Sequence, residues 1–203
     1  ASGYQGISPK PYSSLTYVAH PYQSVDCGSY NKPNVGCNDI VYDGAAAYSL
    51  ALHFYLTEDP QYAKKAIEII EAWASVYEQN TNSNSRLVVS WATPWYVNAA
   101  EILRYTPNSG WTTTNTANIN TLLNKFKTYI FWEDRPSNNW MASAIEARLA
   151  IAVFQDDRTA FDNAIAKWKQ RIKTYIYQTT DGASPIPPAG ENASFVTRIW
   201  KDD

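Results

Sequence analysis

Two parts of this chain carry the same pattern. Residues 50–73 begin with the apolar helical stretch Leu50-Ala51-Leu52, pass through an acidic turn, and end an amphipathic segment on Trp73. Residues 149–168 do the same, from Leu149-Ala150-Ile151 to Trp168. An apolar helix, a short polar turn and an amphipathic helix make an αα-hairpin, and stacked hairpins build solenoids or toroids. No segment alternates apolar and polar residues with the period of a half-buried strand. The pattern predicts an all-α fold with six main helices.

Residues 1–38 hold much of the Gly and Pro and show no sustained helical period, so they read as an extended N-terminal segment. Residues 44–56 are Ala/Leu-rich and apolar nearly all round, as in a helix buried on most faces. Thr57-Glu58-Asp59-Pro60 stops that helix; Asp59 caps the next and Pro60 takes its first position, where no N–H is needed. Tyr62, Ala66, Ile70, Trp73 and Tyr77 then recur at spacings of three and four. A polar loop over residues 80–85 leads to a third helix at 86–105, in which Pro94 either kinks the helix or restarts it with Thr93 as cap. Ile119, Leu122, Leu123, Phe126, Tyr129 and Ile130 mark the fourth helix. The fifth, over 137–154, carries Met141, Ala144, Ile145, Leu149, Ala152 and Val153 as its stripe. Asp157 or Thr159 caps the sixth, which includes Phe161, Ala164, Ile165, Trp168 and Ile172.

With 203 residues the chain is expected to be a single domain, 181–203 forming a Pro-rich tail. The net charge of −2 removes the broad basic footprint of a nucleic-acid binder. No apolar run is long enough to span a membrane. Eight Trp and fifteen Tyr are more than packing usually demands, and sugar-binding clefts are one place where such a surplus is used. Cys27 and Cys37 lie ten positions apart in a Gly/Asn/Pro-rich stretch; with only His20 and His53 available, a disulfide closing a short loop is a better reading than a zinc site. That disulfide, a start at Ala1 resembling a mature terminus, and the sequon Asn192-Ala193-Ser194 as a glycosylation site favour a secreted, extracellular protein.

No phosphate-binding loop, zinc signature or nucleophile elbow is present. The stretch that stands out is Arg135-Pro136-Ser137-Asn138-Asn139-Trp140, at the entrance to the fifth helix, where side chains and free backbone N–H groups are placed to receive an anion. One Asn of the pair is explained by capping alone. The segments Tyr42-Asp43-Gly44-Ala45-Ala46-Ala47-Tyr48 and 62–74, then Ala99-Ala100-Glu101-Ile102-Leu103, then 137–162 and Asp181-Gly182, resemble in order and spacing the alginate-lyase-like polysaccharide lyases. The resemblance covers most of the chain from about Cys27 onward. It implies an incomplete (α/α) toroid of stacked hairpins and β-elimination on a uronate polysaccharide such as alginate or glucuronan. In that chemistry the substrate carboxylate is hydrogen-bonded so that enolate-like charge is tolerated, a base takes the C5 proton, and an acid protonates the departing O4. The resemblance makes Asn139, with Asn138 beside it, the carboxylate-facing donor, and the scheme requires no metal or other cofactor.

In the Asn-Asn-His form of this motif the third residue is a catalytic His, and here it is Trp140. An indole only donates, so Trp140 cannot be the base, but it can stack on a sugar ring. The family's Arg, His and Tyr cluster lies beyond the Asp-Gly turn. A fragment whose remaining helices lie in a second chain, or a shortened non-catalytic module binding acidic polysaccharide, are the resulting expectations. Trp91, Trp95 and Tyr96 either line a groove or pack the core, and Arg135 either pairs with a uronate or is solvated. Tyr42 and Asp43 are read as preceding the first helix, with Asp43 as its N-cap; His53, in an apolar helix, reads as a satisfied core histidine. A glycoside hydrolase would need two facing carboxylates, and Asp39, Asp43, Glu133 and Asp134 form no recognisable pair.

Overall fold

The computed structural model describes residues 11–130, 139–175, 180 and 182–183. Arg135, Asn138 and Asn192, together with Glu133 and Asp134, lie outside the described residues. Six α-helices are present among the described residues, as the hairpin pattern predicts. They fall into two compact units, 1–131 and 132–203.

In the first unit α1 (Cys37–Thr57) turns through Glu58 and Asp59 into α2 (Pro60–Val76). Glu58 ends α1 in the left-handed conformation at φ 59°, and Asp59 Oδ1 accepts from Gln61 N at 3.0 Å, with Pro60 opening the helix. Then come α3 (Ser85–Tyr105) and α4 (Thr113–Ile130). Helix α1 packs most extensively on α3 and next on α2, while α4 covers α2 and α3. The core between them holds Leu50, Phe54, Ile69, Ile70, Trp73, Tyr77, Tyr96, Leu103 and Phe126, all essentially free of solvent. Trp73, Tyr77, Tyr96 and Phe126 form a chain of tilted and edge-on ring pairs with centroids 5.1–6.5 Å apart. Each such pair is worth about 0.5–1.5 kcal/mol beyond its buried area. His53 is buried, with Nδ1 3.3 Å from the Ser49 carbonyl and its ring 4.9 Å from that of Tyr62.

The second unit contains the hairpin of α5 (Asn139–Phe154) and α6 (Arg158–Tyr175). The turn repeats the chemistry of the first hairpin. Asp156 is left-handed at φ 53°, and Asp157, rather than Thr159, caps α6 by accepting from Ala160 N at 2.9 Å. In both hairpins, therefore, an acidic residue absorbs the positive φ and the next caps the second helix. Helix α5 buries Ala147, Arg148, Ile151 and Phe154 as well as most of the expected stripe, while Val153 is half exposed. An apolar helix of this kind has more than one face to bury, so a single stripe was too narrow a description.

Two sequence expectations are corrected, and of the two alternatives at Pro94 the restart is removed. The chain does contain strands: β1 (Ser24–Cys27) pairs antiparallel with β2 (Asn34–Val35) and parallel with β3 (Gln79–Thr81), in the order β2-β1-β3. At two to four residues each they are too short to display a period, and β3 lies in what read as a polar loop. Helix α1 begins at Cys37, so Tyr42 and Asp43 lie inside it and Asp43 is no N-cap. Helix α3 runs through Pro94 without restarting; Thr93 Oγ1 donates to the Val89 carbonyl at 2.7 Å instead of capping. The disulfide Cys27–Cys37 is formed and ties the end of β1 to the first residue of α1. Gly36, at φ 75°, makes the turn between them, and Tyr22 fills the space beside it.

Candidate functional site

The most highly organised polar group of the first unit is Asp43, on α1 with no exposure to solvent. Its Oδ1 accepts from the Tyr17 hydroxyl at 2.7 Å, and its Oδ2 accepts from His20 N and from Trp73 Nε1, each at 2.7 Å. One carboxylate thus fastens the segment around residues 17–20 to α1 and α2. Burial, then the hydrogen bond and charge of Asp43, push the Tyr17 hydroxyl far above the usual phenol range. Burial first, then the Asp43 charge, does the same to Tyr96, whose hydroxyl is fully buried with no hydrogen-bond partner. Both remain protonated across the physiological range, so Tyr17 serves as a donor to Asp43 and not as a base. The ring of Tyr12 lies 6.2 Å from that of Tyr17 and 5.7 Å from that of Tyr42, which is 46% exposed.

Trp91, Trp95 and Tyr96, adjacent in sequence, separate in space. Tyr96 points into the core, while Trp91 is 44% and Trp95 37% exposed, one helical turn apart on the outer face of α3. Trp95 is held from α1: the Tyr48 ring lies 5.5 Å away, and Gly44 sits directly beneath. A Cβ at Gly44 would come within 2.8 Å of the Tyr96 ring and 3.1 Å of Trp95 Cβ, so glycine is what lets α3 approach this closely. A cleft of about 500 Å³ opens at the end of α1 between Tyr55, Leu56, Glu58, Thr106 and Asn108, and includes none of the candidate residues.

In the second unit Asn139 is the first residue of α5 and is exposed; Trp140 follows it, partly buried. The first turn of α5 contains no acidic side chain. The positive end of the helix dipole and the exposed Asn139 amide lie together there, an arrangement suited to an anion. Among the described residues no three His, Cys, Asp or Glu side chains come together as a metal site, and no helix is long and apolar enough to cross a membrane.

The model of the family described as alginate lyase matches residues 25–186, about four-fifths of the chain. The chain belongs to the alginate lyase family. No curated protein and no solved structure gives a significant match. The alginate lyase family match runs from β1 through α6 and includes Asp43, the Trp91–Trp95 face and Asn139-Trp140. Membership supports a polysaccharide lyase in general terms and a polysaccharide as its substrate.

Sequence reasoning missed the role of Asp43. The clue lay in its position: an acid just before a run of Gly and Ala, with no further charged residue up to Thr57, has to find its donors from other elements.

Proposed function

We propose that this chain is a secreted polysaccharide lyase that cleaves uronic-acid-containing polysaccharide, of the alginate or glucuronan type, by β-elimination. The observation that carries the reading is the family match over residues 25–186, which takes in every described α-helix. Abstraction of the C5 proton leaves charge that spreads into the adjoining carboxylate; the C4–O4 bond then breaks, a C4=C5 double bond forms, and O4 leaves with a proton. The demanding step is tolerating the dianionic character of that carboxylate, which fixed hydrogen-bond donors relieve. Asn139 is assigned that part, with Asn138 beside it and Arg135 as a second, forked donor. Trp140, partly buried, stacks on a sugar ring, and Trp91, Trp95 and Tyr42 offer further aromatic contact, as the exposure of these three supports.

The test is incubation of the protein with alginate and with glucuronan while following the ultraviolet absorbance of the conjugated unsaturated uronate. Product is expected with at least one polymer, and Asn139→Ala is expected to slow its formation about 100-fold or more, the usual consequence of removing one oxyanion donor. No absorbance change with any uronate polymer overturns the reading. A second reading, a non-catalytic module binding acidic polysaccharide, is favoured by Trp140 standing where the Asn-Asn-His motif has its base. It predicts binding without product.

A further inference from the structure

Long stretches of α1 and α3 combine aromatic exposure with a lack of charge. Neither residues 44–57 nor residues 87–100 include a single Lys, Arg, Asp or Glu. The large exposed side chains that these stretches offer are Trp91, Trp95, Tyr55 and Leu56, with Tyr48 set against Trp95 and the neutral Asn98 and Thr57 also exposed. The one carboxylate close to this run, Asp43, is fully buried and engaged by three donors, so it contributes no exposed charge. The chain as a whole carries a net charge of −2, which provides no general attraction for a polyanion.

We infer that the α1–α3 face, centred on Trp95 with Trp91 and Tyr48, is a polysaccharide subsite for uncharged sugar units, and that the substrate is a chain whose uronates are interspersed with neutral or esterified sugars. The inference rests on the proposed action on uronate polymers and narrows it. A sugar ring presents an apolar face of axial C–H groups that packs on an indole or phenol ring. A carboxylate held over the same surface would lose hydration against the negative faces of the rings and meet no cation from residues 44–57 or 87–100, only neutral donors such as the Asn98 amide, which is unfavourable. Complementarity therefore selects a neutral ring face at this place. The platform is also held in position before any sugar arrives. Trp95 is backed by the close approach at Gly44 and flanked by Tyr48, which reduces the ordering cost of binding.

The experiment compares, by calorimetric titration of the full chain, glucuronan with the same polymer after reduction of its carboxyl groups to the neutral glucan. Each is measured before and after a roughly tenfold rise in ionic strength. The expected result is binding of the neutral polymer with little salt dependence, while glucuronan gains further, salt-dependent affinity from the carboxylate donors of the proposed site. Trp95→Ala is expected to weaken binding of the neutral polymer about tenfold, the upper end of an aromatic contact. Trp95→Phe is expected to recover most of that loss. The alanine retains the Cβ that meets Gly44, and its fold is checked by circular dichroism. No binding of the neutral polymer, a steep salt dependence of that binding, or wild-type binding of it by folded Trp95→Ala each overturns the inference. Unsaturated product is followed with glucuronan in the same solutions, which separates the two claims. Product formation with unchanged binding by Trp95→Ala leaves elimination standing and removes the subsite. Trp95-dependent binding of the neutral polymer without product from any uronate does the reverse.

Discussion

Asp43 offers the sharpest test of the physical account of this fold, because one carboxylate answers three donors from separate parts of the chain. In Asp43→Ala, Trp73 Nε1 is left in a site with no solvent access, while Tyr17 and the His20 amide lose their partner in partly buried surroundings. A buried donor without an acceptor costs about 1–3 kcal/mol, and the two partly buried donors less each, so a total of about 3–5 kcal/mol is expected. Asp43→Asn is different. Its Oδ1 can accept from both Trp73 and His20, and its Nδ2 can donate to a Tyr17 hydroxyl rotated to accept. Only the charge assistance is lost, partly offset by easier burial of a neutral amide, giving about 1–2 kcal/mol. Urea denaturation of the disulfide-intact variants measures both. A cost for alanine below about 1 kcal/mol, or an asparagine as costly as the alanine, would refute the reasoning. A second readout is the titration of Tyr17. Since the Asp43 charge helps to raise it, the asparagine variant is expected to ionise Tyr17 at lower pH.

Three further outcomes are expected. Replacing Cys27 and Cys37 together by Ser reopens a loop with a sequence separation of 10 and is expected to cost about 2.7 kcal/mol on the chain-entropy relation, read as a lower urea midpoint. Gly44→Ala forces a methyl group against the Tyr96 ring and Trp95 Cβ and is expected to cost about 1–3 kcal/mol, with a change in tryptophan emission. Tyr77 and Tyr96, both fully buried, are raised above their unfolded-state value near 10, chiefly by burial. Their stabilising effect is therefore complete below pH 10 and is lost above it, where the unfolded chain ionises first. With two protons involved, unfolding free energy is expected to fall by up to about 2.7 kcal/mol per pH unit there. A flat stability profile above pH 10 would remove this account.

The hairpins were legible because their signals are local. Asp59 and Pro60, and again Asp157, state where a helix starts, and the three-and-four spacing through Ala66, Ile70 and Trp73 states which face is buried. Other features depended on contacts that have no local signature. The sheet is made of strands of two to four residues, and β1 pairs with β3 across more than fifty positions, as in Ser24 with Gln79. Their identity is set by the disulfide and by β3 arriving alongside, and a window of sequence contains neither. The division of Trp91 and Trp95 from Tyr96 was half visible. A spacing of four puts the two tryptophans on one face and the next residue on another, but which face is outward is decided by Gly44 on a different helix. Asp43 was misread because an acid close to a helix start resembles a cap, and only its distant donors reveal otherwise.

Helix α1 explains why the polar and the aromatic features of the first unit occur together. A helix without exposed charge over residues 44–57 is a poor surface element unless something covers or uses it. On one face Asp43 uses its charge entirely inward, fastening Tyr17, His20 and Trp73, and so gives the unit a fixed polar anchor without leaving a charge at the surface. Immediately after it, Gly44 draws α3 close enough to seat Trp95 against Tyr48. Consecutive residues thus neutralise one face and shape the other. If the aromatic face existed only to be buried by further helices, its rings would need no fixed arrangement in advance. An indole already braced by Tyr48 and Gly44 while more than a third exposed meets the condition that the proposed subsite sets, since its ordering cost is met before any ligand binds.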